Sequence, residues 1–226
     1  MARLNKRQKT NEELRPEAPL PLPEAVSVLK KYTGPKFDQT VEVCMHLGID
    51  PTHADQLVRG SIALPKGLGK TKRVVAFCGP DDVEPCKQAG AIEAGGDDLI
   101  EKISGGWMDF DVAVATPDMM RGVSKLGRVL GPRGLMPSPK AGTVTKDIAP
   151  AVTEYAAGKV EYRNDKGGNI HVPVGRMSFS EADLVENIEF FINVIEKAKP
   201  ASTKGQYIKK IAISGTMTPG VLVTSG

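Results

Sequence analysis

Gly69-Lys70-Thr71 is the first segment with the look of chemistry, because it matches the end of a phosphate-binding loop. Such a loop needs its first glycine at position 64, where this chain has Leu64, and it must open a helix. Here it leads into Val74-Val75-Ala76-Phe77-Cys78, an apolar run that reads as a strand. A lysine-rich linker is the better reading. Cys44 and His46 are spaced like half of a metal site, but no second pair stands at ligand spacing. Cys44 reads as a strand residue, and Cys78 and Cys86 as small buried hydrophobes. Three cysteines, odd in number and far apart, argue against a disulfide framework. His46, His53 and His171 are scattered, with no nucleophile elbow and no acid–base pair beside them. The turn Gly79-Pro80-Asp81-Asp82 puts acids where a dinucleotide's pyrophosphate would sit. No catalytic constellation emerges, so no enzyme, no cofactor and no metal are expected.

What the charges can do is bind phosphate. Thirty Lys and Arg face 27 Asp and Glu, so the chain is nearly neutral at +3. Yet residues 1–9 hold Arg3, Lys6, Arg7 and Lys9 without an acid. A second group, Lys125, Arg128, Arg133 and Lys140, sits in a glycine- and proline-rich stretch. A third gathers Lys197, Lys199, Lys204, Lys209 and Lys210. Each alone reads as a solvated surface, but three in a near-neutral chain outline a footprint for nucleic-acid phosphates. The loop from Gly131 to Gly142 is too rich in Pro and Gly for a helix, and its Leu135 and Met136 imply ordering against something apolar. No apolar run approaches the roughly 20 residues that span a bilayer, and no apolar stretch follows the basic N-terminus. The chain is read as cytoplasmic, without a membrane partner.

The elements that must hold these residues follow from periodicity. The first fifteen or so residues are polar and read as loosely held, and Pro16 to Pro23 as extended. A short helix carries Ala25, Val28, Leu29 and Tyr32. From Lys36 to Leu47 apolar residues fall on odd positions (Phe37, Val41, Val43, Met45, Leu47) and mostly polar ones on even positions. That is a half-buried antiparallel strand. Ser61–Leu64 is a shorter candidate strand. Buried runs at 74–78 and 112–115 alternate with helical stretches at 82–89, 97–103 and 117–129, which implies a parallel sheet. After Gly158 alternation returns. Val160–Arg163 and Asn169–Val174 flank Asn164-Asp165-Lys166-Gly167-Gly168, a hairpin turn signal. Ser180 caps a helix with one apolar stripe through Leu184, Ile188, Phe191, Ile192 and Ile195. Strands 208–214 and 220–223 close the chain around Gly215-Thr216-Met217-Thr218-Pro219.

Each outer segment alone would bury a marginal core. Joined, residues 1–66 plus 160–226 make an α+β domain, with residues 67–159 inserted as an α/β three-layer, Rossmann-like domain. The crossings near Lys66–Lys70 and Gly158–Lys159 would serve as a hinge.

Together these segments resemble, in its bacterial type, the family of the first protein of the large ribosomal subunit, found at the mobile stalk beside the tRNA exit site. The matching text includes Lys36-Phe37-Asp38-Gln39-Thr40-Val41-Glu42-Val43, Leu64-Pro65-Lys66-Gly67-Leu68-Gly69-Lys70 and Gly106-Trp107-Met108-Asp109-Phe110-Asp111. It continues through Lys125-Leu126-Gly127-Arg128-Val129-Leu130, Arg163-Asn164-Asp165-Lys166, Ile170-His171-Val172-Pro173-Val174-Gly175 and Thr216-Met217. The likeness covers nearly the whole chain.

That resemblance implies an RNA-binding first domain and a flap-like second one. Carried over by position, the implied RNA contacts are Lys36, Phe37, Thr40, Glu42, Lys166, Gly168, His171, Thr216 and Met217. Lys36 and Lys166 can reach phosphate; Thr40, Thr216 and Glu42 can bond ribose hydroxyls or base edges; Phe37 and Met217 offer apolar surface to exposed sugars or bases. The implied partners are the stalk ribosomal RNA, the exit-site tRNA and the chain's own messenger RNA, whose translation it would repress; the free protein is expected to be a monomer. One departure stands out: the family usually has glycine after Thr-Met, where this chain has Thr218. An α/β enzyme with a nucleotide cofactor and a general nucleic-acid chaperone are the competing readings.

Overall fold

The computed structural model describes residues 5–224, so Arg3 of the first basic group lies outside the described residues. In chain order the elements are α1 (Lys6–Glu13), α2 (Leu22–Lys31), β1 (Thr40–Leu47), β2 (Arg59–Ile62), β3 (Val74–Phe77), α3 (Val83–Gln88), β4 (Ala91–Gly95) and α4 (Asp97–Ser104). They continue with β5 (Val112–Ala115), α5 (Met120–Val123), α6 (Gly127–Leu130), α7 (Ile148–Ala156), β6 (Val160–Arg163), β7 (Asn169–Arg176), α8 (Glu181–Lys197), β8 (Ile208–Gly215) and β9 (Val221–Val223). The chain folds as two compact units, Met1–Gly69 with Val160–Gly226, and Lys70–Lys159.

The unit built from both segments is centred on an antiparallel sheet of order β7-β1-β8-β9. Its strand β1 places Val41, Val43, Met45 and Leu47 on one fully buried face, as period two requires. That face packs into one core with Ala25, Val26 and Leu29 of α2 and Leu184, Ile188, Phe191 and Ile195 of α8. Ser180 caps α8 by accepting from the Asp183 amide at 3.1 Å. On the opposite face Thr40, Cys44 and His46 are half-buried and Glu42 is exposed.

Several elements depart from the sequence expectation. The polar N-terminal stretch is not loose: α1 forms, with Asn11 buried and exchanging hydrogen bonds of 3.0 and 2.9 Å with the Thr33 backbone. Of the proline run, Pro21 and Pro23 lie at the start of α2, where a missing amide costs nothing. Phe37 precedes β1 and is exposed rather than part of its inward row. The residues flanking Asn164–Gly168 do not form a hairpin. Strand β6 pairs with β2 and β7 with β1, leaving only the Asn164–Ile170 bridge between them. The cause is Asn164, buried, whose Oδ1 accepts from the Val58 amide at 2.9 Å and draws β6 toward β2.

The second unit holds a parallel sheet of order β4-β3-β5. One face buries Val75, Phe77, Ala113 and Ala115 against Leu99, Ile100 and Ile103 of α4 and against Val123, Leu126 and Leu130. The other buries Val74, Ala76 and Val114 against Cys86 of α3 and Ile148, Val152 and Tyr155 of α7. Strand β4 and helix α7 were not foreseen, and the helix expected over 117–129 is broken into short turns. A β-carbon at Gly122 would lie 2.6 Å from Ile100 Cδ1, so any larger residue there would push that side-chain tip aside. Leu135 and Met136 pack on this core as expected. Gly69-Lys70-Thr71 opens no helix and runs as a loop toward β3.

Candidate nucleic-acid interface

The open face of the four-stranded sheet is built by the even residues of β1 and their neighbours across it. Register places His46 between Asn169 and Lys210, Cys44 between His171 and Ala212, and Glu42 between Pro173 and Ser214. A bulge at Val41/Glu42 then brings Arg176 opposite Thr40. Small and polar side chains thus form a band roughly 23 Å long from Thr40 to Leu47, at about 3.3 Å per residue.

The Thr40 end is cross-linked by backbone-directed bonds. The Thr216 amide donates to the Thr40 carbonyl at 3.1 Å, and the Thr40 amide donates to Thr216 Oγ1 at 3.2 Å. Gln39, buried, accepts from the Met217 amide through Oε1 at 2.8 Å and from the Met177 amide through its carbonyl at 2.9 Å. Arg176 Nη1 donates to the Asp38 carbonyl at 3.2 Å and to Thr40 Oγ1 at 3.1 Å. Asp38 in turn accepts from the amide and hydroxyl of Ser178 at 3.1 and 2.8 Å. This frame holds Phe37 and Met217 with 54% and 49% of their surfaces exposed. They are the two most exposed large apolar side chains among the described residues.

A family model described as "Ribosomal protein L1p/L10e family" matches residues 29–219. The chain belongs to the ribosomal protein L1p/L10e family. It is 56% identical over 200 residues to "Large ribosomal subunit protein uL1" of Protochlamydia amoebophila (strain UWE25), an alignment covering 88% of this chain and 85% of that protein. It is 53% identical over 199 residues to the protein of the same name from Nocardioides sp. (strain ATCC BAA-499 / JS614), covering 88% and 83%. As an L1-family member the chain is a structural, non-enzymatic constituent of the large ribosomal subunit. No helix among the described residues is long and apolar enough to cross a membrane.

Within this L1-family fold, the residues carried over by position do not form one cluster. Lys36, Phe37, Thr40, Glu42, Thr216 and Met217 gather at one end of the band. Lys166 and Gly168 sit at the other, where the Leu47 amide donates to the Gly168 carbonyl at 2.9 Å. His171 lies between, exposed, with Nε2 3.9 Å from Cys44 Sγ. Lys166 is exposed, but Gly168 is buried with its amide bonded to the Asp165 carbonyl at 3.2 Å, so it shapes the turn from behind. Asp165 Oδ1 closes that turn by accepting from the Asn169 and Gly167 amides at 2.7 and 2.8 Å. The bond from the Asn169 amide, then from its side chain, holds the Asp165 carboxyl below the usual range. Burial, then the acids Asp165 and Glu42, push the Cys44 thiol up, so it stands on the face as a neutral group.

Sequence reasoning missed Gln39 and Arg176, and it placed Lys210 in a basic group without setting it beside His46 on the sheet. Arg176 could have been found by extending period two along β7; nothing in the sequence singles out Gln39. Thr218 turns inward, where its hydroxyl accepts from the Gly215 amide at 2.8 Å. Among the described residues no group of three or more His, Cys, Asp or Glu is placed to hold a metal.

Proposed function

We propose that this protein grips stalk ribosomal RNA of the large subunit through the open sheet face. Lys36, Phe37, Thr40, Glu42, Thr216 and Met217 form the main contact, with His171 and Lys166 extending it and Gly168 shaping the turn beneath Lys166. The observation that carries the reading is the exposure of Phe37 and Met217 on either side of a hydrogen-bonded frame. Two apolar groups among hydroxyls and cations suit an irregular RNA, read by its riboses and unstacked bases. In this reading residues 1–66 plus 160–226 act as the RNA-binding domain and residues 67–159 as an inserted α/β domain. The exposed Lys125, Arg128 and Arg133 of that second domain then meet the exit-site tRNA and assist movement and release of deacylated tRNA. A messenger RNA that mimics the ribosomal site would compete for the same face, which makes the protein a repressor of its own synthesis. The free protein is a monomer in this scheme. A titration against a stalk-RNA fragment and a scrambled control tests the core of the reading. Preference for the fragment supports it; equal affinity for both sinks it.

A further inference from the structure

Helix α1 has a charge order that works against its own dipole. Lys6 and Arg7 stand in its first turn with Lys9 just behind, while Glu12 and Glu13 close its last turn. The macrodipole favours acids first and bases last. The helix reads KRQKTNEE, without one apolar side chain, so it adds nothing to the core and cannot lie on a membrane or in an apolar groove.

It is nevertheless firmly placed. Asn5 and Gln8 form a reciprocal capping box, with bonds of 3.0 and 2.8 Å. Asn11 is clasped to the Thr33 backbone, at the head of the loop that carries Lys36 and Phe37. At its C-terminal end, Glu12 and Arg15 share a groove with Gly220, next to the Thr216–Pro219 turn. Glu12 is paired with Arg15 at 3.0 Å, whereas Lys6, Arg7 and Lys9 enter no ion pair among the described residues. A polar helix, tied to Thr33 four residues ahead of Phe37 and with its cations in no ion pair among the described residues, is organised to present charge.

We infer that α1 is a further contact for the RNA proposed above, with Lys6, Arg7 and Lys9 on backbone phosphates next to those met by the sheet face. The inference rests on that RNA-binding reading. Contacts of this kind position a nucleic acid without reading its sequence.

The test is the triple variant Lys6→Gln, Arg7→Gln, Lys9→Gln, titrated with the stalk-RNA fragment across a range of KCl beside the wild type. The slope of log affinity against log salt should become shallower by about 2, since each lost phosphate contact removes roughly 0.7–0.9. Affinity near 0.1 M salt should fall at least about tenfold. Thermal stability should hold or rise, because cations leave the positive end of the helix. Unchanged slope and affinity, in a background where wild type still prefers the fragment, overturns the inference alone. Loss of wild-type preference for the fragment over a scrambled RNA strikes the underlying reading and this one with it. Asn11→Ala keeps all three cations but undocks the helix, and should lose several-fold in affinity; wild-type affinity in that variant would overturn the role given to docking.

Discussion

Thr40 and Thr216 stand 176 residues apart in sequence, yet each amide finds its partner on the other residue. The pair fuses the start of β1 to the end of β8 and sets the spacing of Phe37 and Met217. Thr216→Ala removes the hydroxyl that caps Thr40 and could meet a ribose. Stalk-RNA affinity should fall by on the order of 1–3 kcal/mol, with unfolding free energy reduced by no more than about 1 kcal/mol. Filter binding and urea titration read the two effects separately.

Phe37→Ala separates binding from folding more sharply. The ring is exposed and outside the core, so stability should change by less than about 0.5 kcal/mol. Loss of a stacking or apolar contact should still weaken stalk-RNA binding by roughly 1–3 kcal/mol. Wild-type affinity in this variant would remove Phe37 from the interface.

Asn187 is fully buried and satisfied three times over. Its Oδ1 accepts from the Lys66 amide at 3.0 Å, and its Nδ2 donates to the carbonyls of Gly67 and Val174 at 3.2 and 2.8 Å. Asn187→Leu leaves three backbone groups without partners. Chemical denaturation should show a loss of about 3 kcal/mol.

Gly168 has φ of +75°, and a β-carbon there would meet the Leu47 carbonyl at 3.2 Å. Gly168→Ala should destabilise by about 1–2 kcal/mol in equilibrium unfolding. Because the turn also aims Lys166, RNA affinity should fall in the same variant, whereas Lys166→Ala should lower affinity alone.

The Asp165 turn carries a pH signature. Its carboxyl is held below the usual range, mainly by the Asn169 amide, so the order it confers is complete above the ordinary carboxylate range. It is lost as pH falls through the lowered value. Amide exchange of Gly167 and Asn169, read by NMR and corrected for intrinsic rates, should stay protected through neutral pH and open as pH falls below the ordinary carboxylate range. Asp165→Asn should flatten that dependence.

Much of this was legible from residue patterns. Alternation through Val41–Leu47 gave the buried row of β1, and therefore the open row of Thr40, Glu42, Cys44 and His46. The apolar stripe of α8 and the buried runs at 74–78 and 112–115 were equally plain, the first ending as a strand at Phe77. What stayed hidden was decided by distant partners. Whether Asn164–Gly168 joins a hairpin depends on Val58, more than a hundred residues away. That the polar N-terminal helix docks depends on the Asn11–Thr33 clasp, although its Asn5–Gln8 capping box is local. Gln39 earns its place only through Met217 and Met177, which no local pattern announces.

Strand β1 lies between β7 and β8, so it has no sheet neighbour until the chain has grown by more than a hundred residues past it. During synthesis its inward Val41, Val43, Met45 and Leu47 must wait for the α8 part of their core, and pairing over so long a separation is slow. The Thr40–Thr216 clasp closes only when residue 216 has left the exit tunnel. Binding through the proposed face would thereby wait until the chain has grown past residue 216, and a fragment ending before Thr216 would lack the clasp.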